Sequence, residues 1–132
     1  MNDYPGHVWL TRFCDRVNAD SELAVIGNWF TTTFTLTFGE QRYALKVENG
    51  RIVDIIASPK FDLRALFGFR APVEVWRKFL SPDPPPLFHD FFAMLMRVPE
   101  FVLEGDGLVA MQNARALHRM MNIMRETGTP DG

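Results

Sequence analysis

The amino-acid sequence predicts an α+β domain in which helices cover a mainly antiparallel sheet of about five strands. The first observation is an alternation of polar and apolar residues over 33–57, which two strong turn signals divide into three strands. The second is helical periodicity before and after this segment. The third is that threonine and charge occupy one face of the strands and large apolar side chains the other, which requires helices on one side only.

The N-terminal segment is predicted to form two helices. Residues 6–18 carry apolar side chains at helical spacing. Cys14 belongs to this apolar stripe, so we interpret it as a buried small residue rather than a nucleophile. A shorter helix from Ser21 to Ile26 follows, with Asp20 or Ser21 as its N-cap and Gly27 as its stop signal.

Three strands joined by tight turns come next. Residues 33–38 alternate threonine with large apolar side chains, as a half-buried strand does. Gly39-Glu40 suits a type II′ turn, which requires glycine at its first central position. Residues 42–48 form the second strand. Asn49-Gly50 is then the strongest short hairpin signal, because both central residues of its turn adopt positive φ. Arg51 to Ala57 is the third strand.

The middle of the chain is less regular. Ser58-Pro59 interrupts the third strand, and the alternation over 61–67 predicts a fourth strand, although Leu66 breaks the pattern and a helix is the alternative. Ala71-Pro72 then opens a helix, because proline is tolerated in the first turn. The apolar stripe of this helix consists of Val75, Trp76, Phe79 and Leu80.

A proline-rich linker, Ser81 to Pro86, separates this helix from the next, since three successive prolines favour polyproline II and cannot continue a helix. Leu87 to Val98 is predicted to be a helix with a wide apolar face, and Pro99 ends it. Phe101 to Glu104 is a last strand, which leads through a Gly-Asp-Gly corner into the final helix.

The final helix is predicted to run from this corner to Arg125. Its apolar side chains recur at steps of three and four residues and cover most of its circumference: Leu108, Met111, Ala114, Leu117, Met121 and Met124. Its polar side chains recur at the same steps over a narrow arc: Gln112, Arg115, Arg119 and Asn122. A helix this apolar either packs in the core against the sheet or closes an apolar cavity, and the function depends largely on which of the two is correct.

Charge and composition exclude several classes of function. The formal net charge is −2 and the Lys and Arg residues are scattered, so no nucleic-acid partner is expected. One cysteine permits no internal disulfide, and three scattered histidines lack metal-ligand spacing, so no metal is predicted. The sequence has no phosphate-binding loop and no dinucleotide-binding fingerprint, so no cofactor is predicted. No apolar run approaches the length of a transmembrane segment, and the N-terminus is unlike a signal peptide, so a cytoplasmic location is expected.

The order and spacing of three landmarks resemble the sterol carrier protein type 2 family. The landmarks are the Val47–Gly50 hairpin, the helix through Trp76 to Leu80, and Leu103 to Asp106 at the entrance to the final helix. The resemblance covers about residues 22–125. It implies an antiparallel sheet covered by helices, with a hydrophobic tunnel for sterols, fatty acids, fatty acyl-CoA or phospholipids. It also implies no catalytic residues, so the protein is not expected to be an enzyme.

The chain departs from typical members in three respects. It is expected to carry no peroxisomal C-terminal signal and to stand alone rather than fused to an enzyme. It also inserts SPDPPPLFHD where typical members have a shorter connection. We expect a single domain over residues 1–132 with its core in about 22–125. The ends, 1–5 and 126–132, are expected to be flexible.

A lipid site requires apolar walls whose side chains can repack around different ligands, as Met and Phe can. We therefore predict a cavity between the sheet and the last two apolar helices. The same side chains also fit an ordinary packed core, and periodicity alone favours that alternative. The wall candidates are Trp76, Phe79, Phe88, Phe91, Phe92, Leu95, Met111, Leu117, Met121 and Met124.

Two further hypotheses use other features of the sequence. An accessory or dimerising module with a filled core would bind a second copy or a partner enzyme through its surplus apolar surface. An enzyme would depend on His89 and Asp90, but neighbouring helical residues point about 100° apart, and Asp90 more simply complements the helix dipole. Arg115 and Arg119 could bind an acidic head group, although a solvated helix face is the more ordinary explanation.

Overall fold

The computed structural model describes residues 5–59, 64–128 and 130, which form a five-stranded sheet packed by helices. The helices are α1 His7–Ala19, α2 Ser21–Ile26, α3 Val73–Leu80, α4 Phe91–Arg97, α5 Gly107–Gln112 and α6 Ala114–Glu126. The strands are β1 Thr32–Phe38, β2 Gln41–Glu48, β3 Arg51–Ala57, β4 Phe67–Ala71 and β5 Val102–Gly105.

The sheet has the strand order β3-β2-β1-β4-β5. Neighbouring strands are antiparallel except β1 and β4, which are parallel. The predicted α+β class with a mainly antiparallel sheet is therefore confirmed. Both hairpin turns lie where the sequence placed them, with φ of 65° at Gly39, 53° at Asn49 and 78° at Gly50. Positive φ at both Asn49 and Gly50 is what a type I′ turn requires.

The fourth strand lies further along the chain than its alternation indicated. β4 is Phe67–Ala71, whereas the prediction was 61–67, of which residues 61–63 lie outside the described residues. Gly68 weakens the apolar pattern in the middle of β4. A Cβ at this position would collide with Thr35 Oγ1 on the neighbouring strand, so glycine is needed for the two strands to approach.

The predicted helix over 87–98 is shorter at its start, because Asp90 is its N-cap. The Asp90 carboxylate accepts hydrogen bonds from the backbone N–H groups of Phe92 at 2.8 Å and Ala93 at 3.4 Å. Leu87 has a φ of 78°, which no helix contains. The polar cap therefore sets the first residue of α4, and the apolar residues before it belong to the linker.

The single final helix was a wrong prediction, because the chain breaks at Asn113 into α5 and α6. The Asn113 side chain donates a hydrogen bond to Val109 O at 2.9 Å, which competes with the regular helical pattern. The break changes which residues are buried. Leu108 and Met111 before it are exposed, whereas Leu117, Met121 and Met124 after it are buried.

One continuous hydrophobic core joins the inner face of the sheet to the helices. Trp76 lies at its centre, where its ring contacts Phe38 and Phe101 and its Nε1 donates a hydrogen bond to Thr37 O at 2.9 Å. Both ends of the described chain are attached to this core. Trp9 Nε1 in α1 donates to Gly128 O at 2.8 Å, so α1 packs in the fold although it precedes the range of the sequence resemblance.

The last turn of α6 holds both ends of the proline-rich linker. Arg125 Nε donates a hydrogen bond to Phe79 O, and its Nη2 donates to Phe88 O, each at 2.9 Å. The guanidinium also lies over the Phe79 ring, 4.5 Å from its centroid. Burial lowers the pKa of Arg125. Through this one side chain, α6 is fixed to the end of α3 and to the residues preceding α4.

Candidate functional site

The ten predicted wall residues fall into three groups. Six have no exposed surface and belong to the continuous core: Trp76, Phe79, Phe91, Leu117, Met121 and Met124. Phe88, Phe92 and Leu95 are partly buried against that core, and Met111 is exposed on α5. Two of the aromatic members, Trp76 and Phe91, pack against rings of the sheet and of the loop before β5; for example, the Phe91 and Phe101 centroids lie 5.6 Å apart.

A surface depression of about 460 Å³ lies between α2, α4 and α6. Its size is within the usual range of small-molecule sites, roughly 300–1,000 Å³. It brings together one predicted wall residue with residues from three helices that are far apart in the sequence. The lining residues are Glu22, Ile26, Phe92, Ala114, Arg115, His118, Arg119 and Asn122.

One edge of this depression is apolar. Phe92 on α4 stacks on the His118 ring of α6, with centroids 5.6 Å apart and an angle of 3° between the planes. Phe92 and Ile26 both line the depression and pack against the hydrophobic core. This edge is therefore the boundary between the surface and the interior, and the stacked pair bridges α4 and α6.

The opposite edge is polar, and most of its charge is already paired. Arg119 binds Asp20 through two hydrogen bonds, Nη2 to Oδ1 at 2.6 Å and Nε to Oδ2 at 3.1 Å. Glu22 and Glu126 lie 3.5 and 3.8 Å from the same guanidinium. These contacts raise the pKa of Arg119. Arg115 makes no ion pair with the described residues and is exposed, so it is the cation of the depression that is available to a ligand.

Asp20 has two roles, because its carboxylate also accepts a hydrogen bond from Leu23 N at 2.9 Å and so caps α2. The Arg119 guanidinium holds the pKa of Asp20 below its ordinary value of 3.8. A carboxylate whose pKa is lower in the folded state stabilises the fold above its unfolded pKa. That stabilisation is lost as the pH falls through the folded-state pKa.

We expect Asp20→Asn to lower the free energy of unfolding at neutral pH by about 1.5–3 kcal/mol. Asparagine can still cap α2, but its neutral amide cannot make the charged, mostly buried hydrogen bonds that the carboxylate makes with Arg119. The difference between the wild type and the variant should shrink as the pH falls below the ordinary carboxyl pKa. Urea titrations at several pH values measure it. A difference that stays constant down to low pH would contradict this account of Asp20.

A second groove, of about 260 Å³, separates α1 from strands β2 and β3. Cys14 lines it together with Tyr43 and Ile55. Burial, and then the negative charge of Asp15, raise the pKa of the Cys14 thiol, which reduces its thiolate fraction at neutral pH. The Cys14 sulfur lies 3.7 Å from Ile52 O, as expected for a thiol used in packing.

His89 and Asp90 do not form a base and its partner, since the Asp90 carboxylate caps α4 and His89 is exposed. Over residues 5–59 and 64–128, no three His, Cys, Asp or Glu side chains converge as metal ligands. In the same part of the chain, no helix has both the length and the apolar character that crossing a bilayer demands.

Comparisons of the sequence find no matching family model and no matching curated protein. Comparison of the structure gives a different result. A crystal structure of sterol carrier protein 2 covers 94% of this chain and 98% of its own, with a TM-score of 0.74 and 16% identity. The chain has the sterol carrier protein 2 fold. The resemblance inferred from three landmarks in the sequence is thereby confirmed at the level of the fold.

Two other solved structures have the sterol carrier protein 2 fold in common with this chain. One is a conserved hypothetical protein of Thermus thermophilus, described as a possible sterol carrier protein, with a TM-score of 0.71, 17% identity, and coverage of 94% of this chain and 89% of its own. The other is the ubiquinone synthesis protein UbiJ-SCP2, with a TM-score of 0.56, 10% identity, and coverage of 86% of this chain and 90% of its own.

The sequence indicated only part of the depression. Phe92 was a wall candidate, and Arg115 and Arg119 were considered for an acidic head group, but Glu22, Ile26, His118 and Asn122 were given no site role. The available signal was the polar stripe of the last helix, which three residues of the depression belong to. A polar stripe on an isolated helix is the same whether water or a ligand lies against it, so only the positions of α2 and α4 distinguish the two.

Proposed function

We propose that this chain binds and carries an amphipathic lipid-like molecule and does not transform it. The observation that supports this most directly is the depression between α2, α4 and α6. Its apolar edge packs against the core, and its polar edge carries Arg115, which pairs with no acidic side chain among the described residues. An amphipathic ligand has the same two parts. The proteins of similar fold support the proposal further, because one of them is sterol carrier protein 2 and another is described as a possible sterol carrier protein.

The apolar part of the ligand would pass between α4 and α6, where Phe92 and His118 stack. Four methionines without exposed surface lie on these two helices: Met94, Met120, Met121 and Met124. Methionine has three rotatable bonds and can repack around an inserted chain. Burying each methylene of the ligand contributes roughly 0.8 kcal/mol, so a chain of about ten offsets a repacking cost of about 1–3 kcal/mol.

The polar part of the ligand would lie at Arg115 and Asn122. An anionic head group suits this edge best, since Arg119 is already neutralised by Asp20, whereas Arg115 has no such partner in the described chain. A guanidinium can bind a carboxylate through two parallel hydrogen bonds. Among sterols, fatty acids, fatty acyl-CoA and phospholipids, we therefore favour a fatty acid, whose head group is a single carboxylate.

Titration with a fluorescent fatty acid is expected to show saturable binding, and native mass spectrometry should show co-purified lipid. Arg115→Gln is expected to weaken the fatty acid about tenfold, the loss of one charge-assisted contact. Arg12→Gln, on the exposed side of α1 and away from the depression, is the control for net charge. No saturable binding by the wild type would refute the carrier function, whereas equal weakening in both variants would refute only the head-group site.

An accessory or dimerising module is a second candidate function, and one observation favours it. Six of the ten wall candidates pack tightly against the sheet and each other, as in a core that holds no ligand. One protein of similar fold is described as a ubiquinone synthesis protein, which suggests a role beside enzymes of such a process. Size-exclusion chromatography with light scattering distinguishes the two functions. A tight dimer without lipid would favour this one, and a lipid-loaded monomer the carrier.

A further inference from the structure

One tryptophan differs from the other two in its surroundings. Trp9 and Trp76 are buried, and the Nε1 of each donates a hydrogen bond to a backbone carbonyl. Trp29, in the turn between α2 and β1, is 89% exposed, and its indole makes no hydrogen bond or ring contact with the described residues. A tryptophan that is exposed to water leaves a large apolar area unburied, and its N–H group lacks the protein partner that it normally finds. This position therefore needs an explanation.

A second large apolar side chain of the same segment is also exposed. Val25, in the last turn of α2, is 75% exposed, and the two side chains together are called the Trp29 patch below. Two other large apolar residues of this segment, Leu23 and Phe30, are buried in the core. The patch adjoins the depression between α2, α4 and α6, because Glu22 and Ile26, which line the depression, belong to the same short helix as Val25.

The chain segment that carries the Trp29 patch has little charge of its own. From Ser21 to Thr31, Glu22 is the only charged residue in the sequence. Asn28 and Thr31 are exposed, and Thr31 binds the exposed Asn49 of the hairpin through its hydroxyl and the Asn49 side chain and backbone. This stretch of the sequence therefore offers no cluster of basic residues to attract an anionic surface.

The size and shape of the patch distinguish the classes of partner. A stable protein interface buries about 800 Å² on each side, contributed by some 20–30 residues, and surrounds its hot spots with a rim that excludes water. The Trp29 patch has two projecting apolar side chains and no such rim. Contact with a lipid head-group layer requires a smaller patch. An indole there buries its ring among the acyl chains and keeps its N–H group in the polar layer.

We propose that Trp29 and Val25 insert into the interfacial layer of an uncharged phospholipid bilayer, so that the adjoining depression opens toward the membrane from which the ligand comes. The proposal rests on the proposed carrier function. Contact is reversible, since two side chains bury little area. The ligand's chain then moves between bilayer and depression with less exposure to water than free diffusion would demand.

The test is the partition of the full chain into phosphatidylcholine vesicles, measured by flotation and by the blue shift of tryptophan emission. Trp29→Ala is expected to lower the partition coefficient about tenfold, the loss of one interfacial aromatic anchor. Val8→Ala, which shortens a side chain with 74% exposure at the start of α1, should leave the partition coefficient unchanged. Added salt should have little effect, because no charge attraction is involved.

The outcomes separate this proposal from the carrier function. If Trp29→Ala partitions like the wild type, or if binding requires anionic lipid and disappears in salt, the membrane contact is refuted while fatty-acid binding is unaffected. If the wild type partitions through Trp29 but binds no fatty acid, the carrier function fails and the membrane contact stands. A dimer that depends on Trp29 in the absence of vesicles would assign the patch to a second copy and overturn the proposal.

Discussion

Replacing Trp76 with alanine is expected to lower the free energy of unfolding by about 3–5 kcal/mol, the usual cost of removing a fully buried aromatic side chain. The Trp76 ring fills the space between α3 and the sheet, with centroids 4.5 Å from Phe38 and 5.3 Å from Phe101. Alanine would leave a cavity there and would also leave Thr37 O without its indole donor. Urea denaturation followed by circular dichroism measures the change.

Trp29→Ala is the matched control, because it removes the same side chain from an exposed position. Its effect on unfolding is expected to stay within about 0.5 kcal/mol. The pair also tests the wall assignment of Trp76. A much smaller loss in Trp76→Ala, together with weaker fatty-acid binding, would mark Trp76 as a ligand contact. Equal losses in the two variants would contradict the packing described for α3.

Gly105→Ala is expected to lower the free energy of unfolding by about 3 kcal/mol or more. Two costs add here, the strain of a positive φ in alanine and the steric overlap of its Cβ. Gly105 has a φ of 81°, which L-residues seldom adopt. A Cβ at this position would lie 2.5 Å from Leu66 O and 2.9 Å from Phe67 Cα, both backbone atoms that cannot move aside. The substitution therefore pushes β5 away from β4 and disturbs the corner that positions α5.

Gly107→Ala, two residues later, should have the opposite sign. The nearest atom to a Cβ there is Leu103 Cδ2 at 3.5 Å, and the position is the first residue of α5. Alanine in a helix is favoured over glycine by about 0.5–1 kcal/mol, so the variant should be slightly more stable than the wild type. Thermal melts of both variants are sufficient, and a stabilised Gly105→Ala would show that the corner is described incorrectly.

The elements that the sequence predicted correctly are those whose signals are local. Asp20 caps α2 and Gly27 ends it, as the adjacent residues indicated. Asn49-Gly50 forms the second hairpin for the same reason, since two neighbouring residues determine the turn. The fold class follows from these elements, and the structural comparison confirms it.

The two errors in helix boundaries have a common physical origin. Asp90 and Asn113 use their side chains to bind nearby backbone groups, and each therefore starts or breaks a helix that apolar periodicity alone would continue. The parallel pairing of β1 with β4 is non-local and has no sequence signal of its own. The depression is harder still to predict from the sequence, because Ile26, Phe92 and His118 come together only after three separate helices have packed.

The contacts of Arg125 have a mechanical consequence for the ligand entry that we propose. This side chain ties the C-terminal end of α6 to Phe88, just before α4 begins, and to Phe79 at the end of α3. The Phe92–His118 stack joins α4 and α6 nearer the other end of α6 and has no hydrogen bond in it. If α4 and α6 separate, Arg125 would therefore act as the hinge. The gap between the two helices would be widest beside Ala114 and Arg115, at the start of α6.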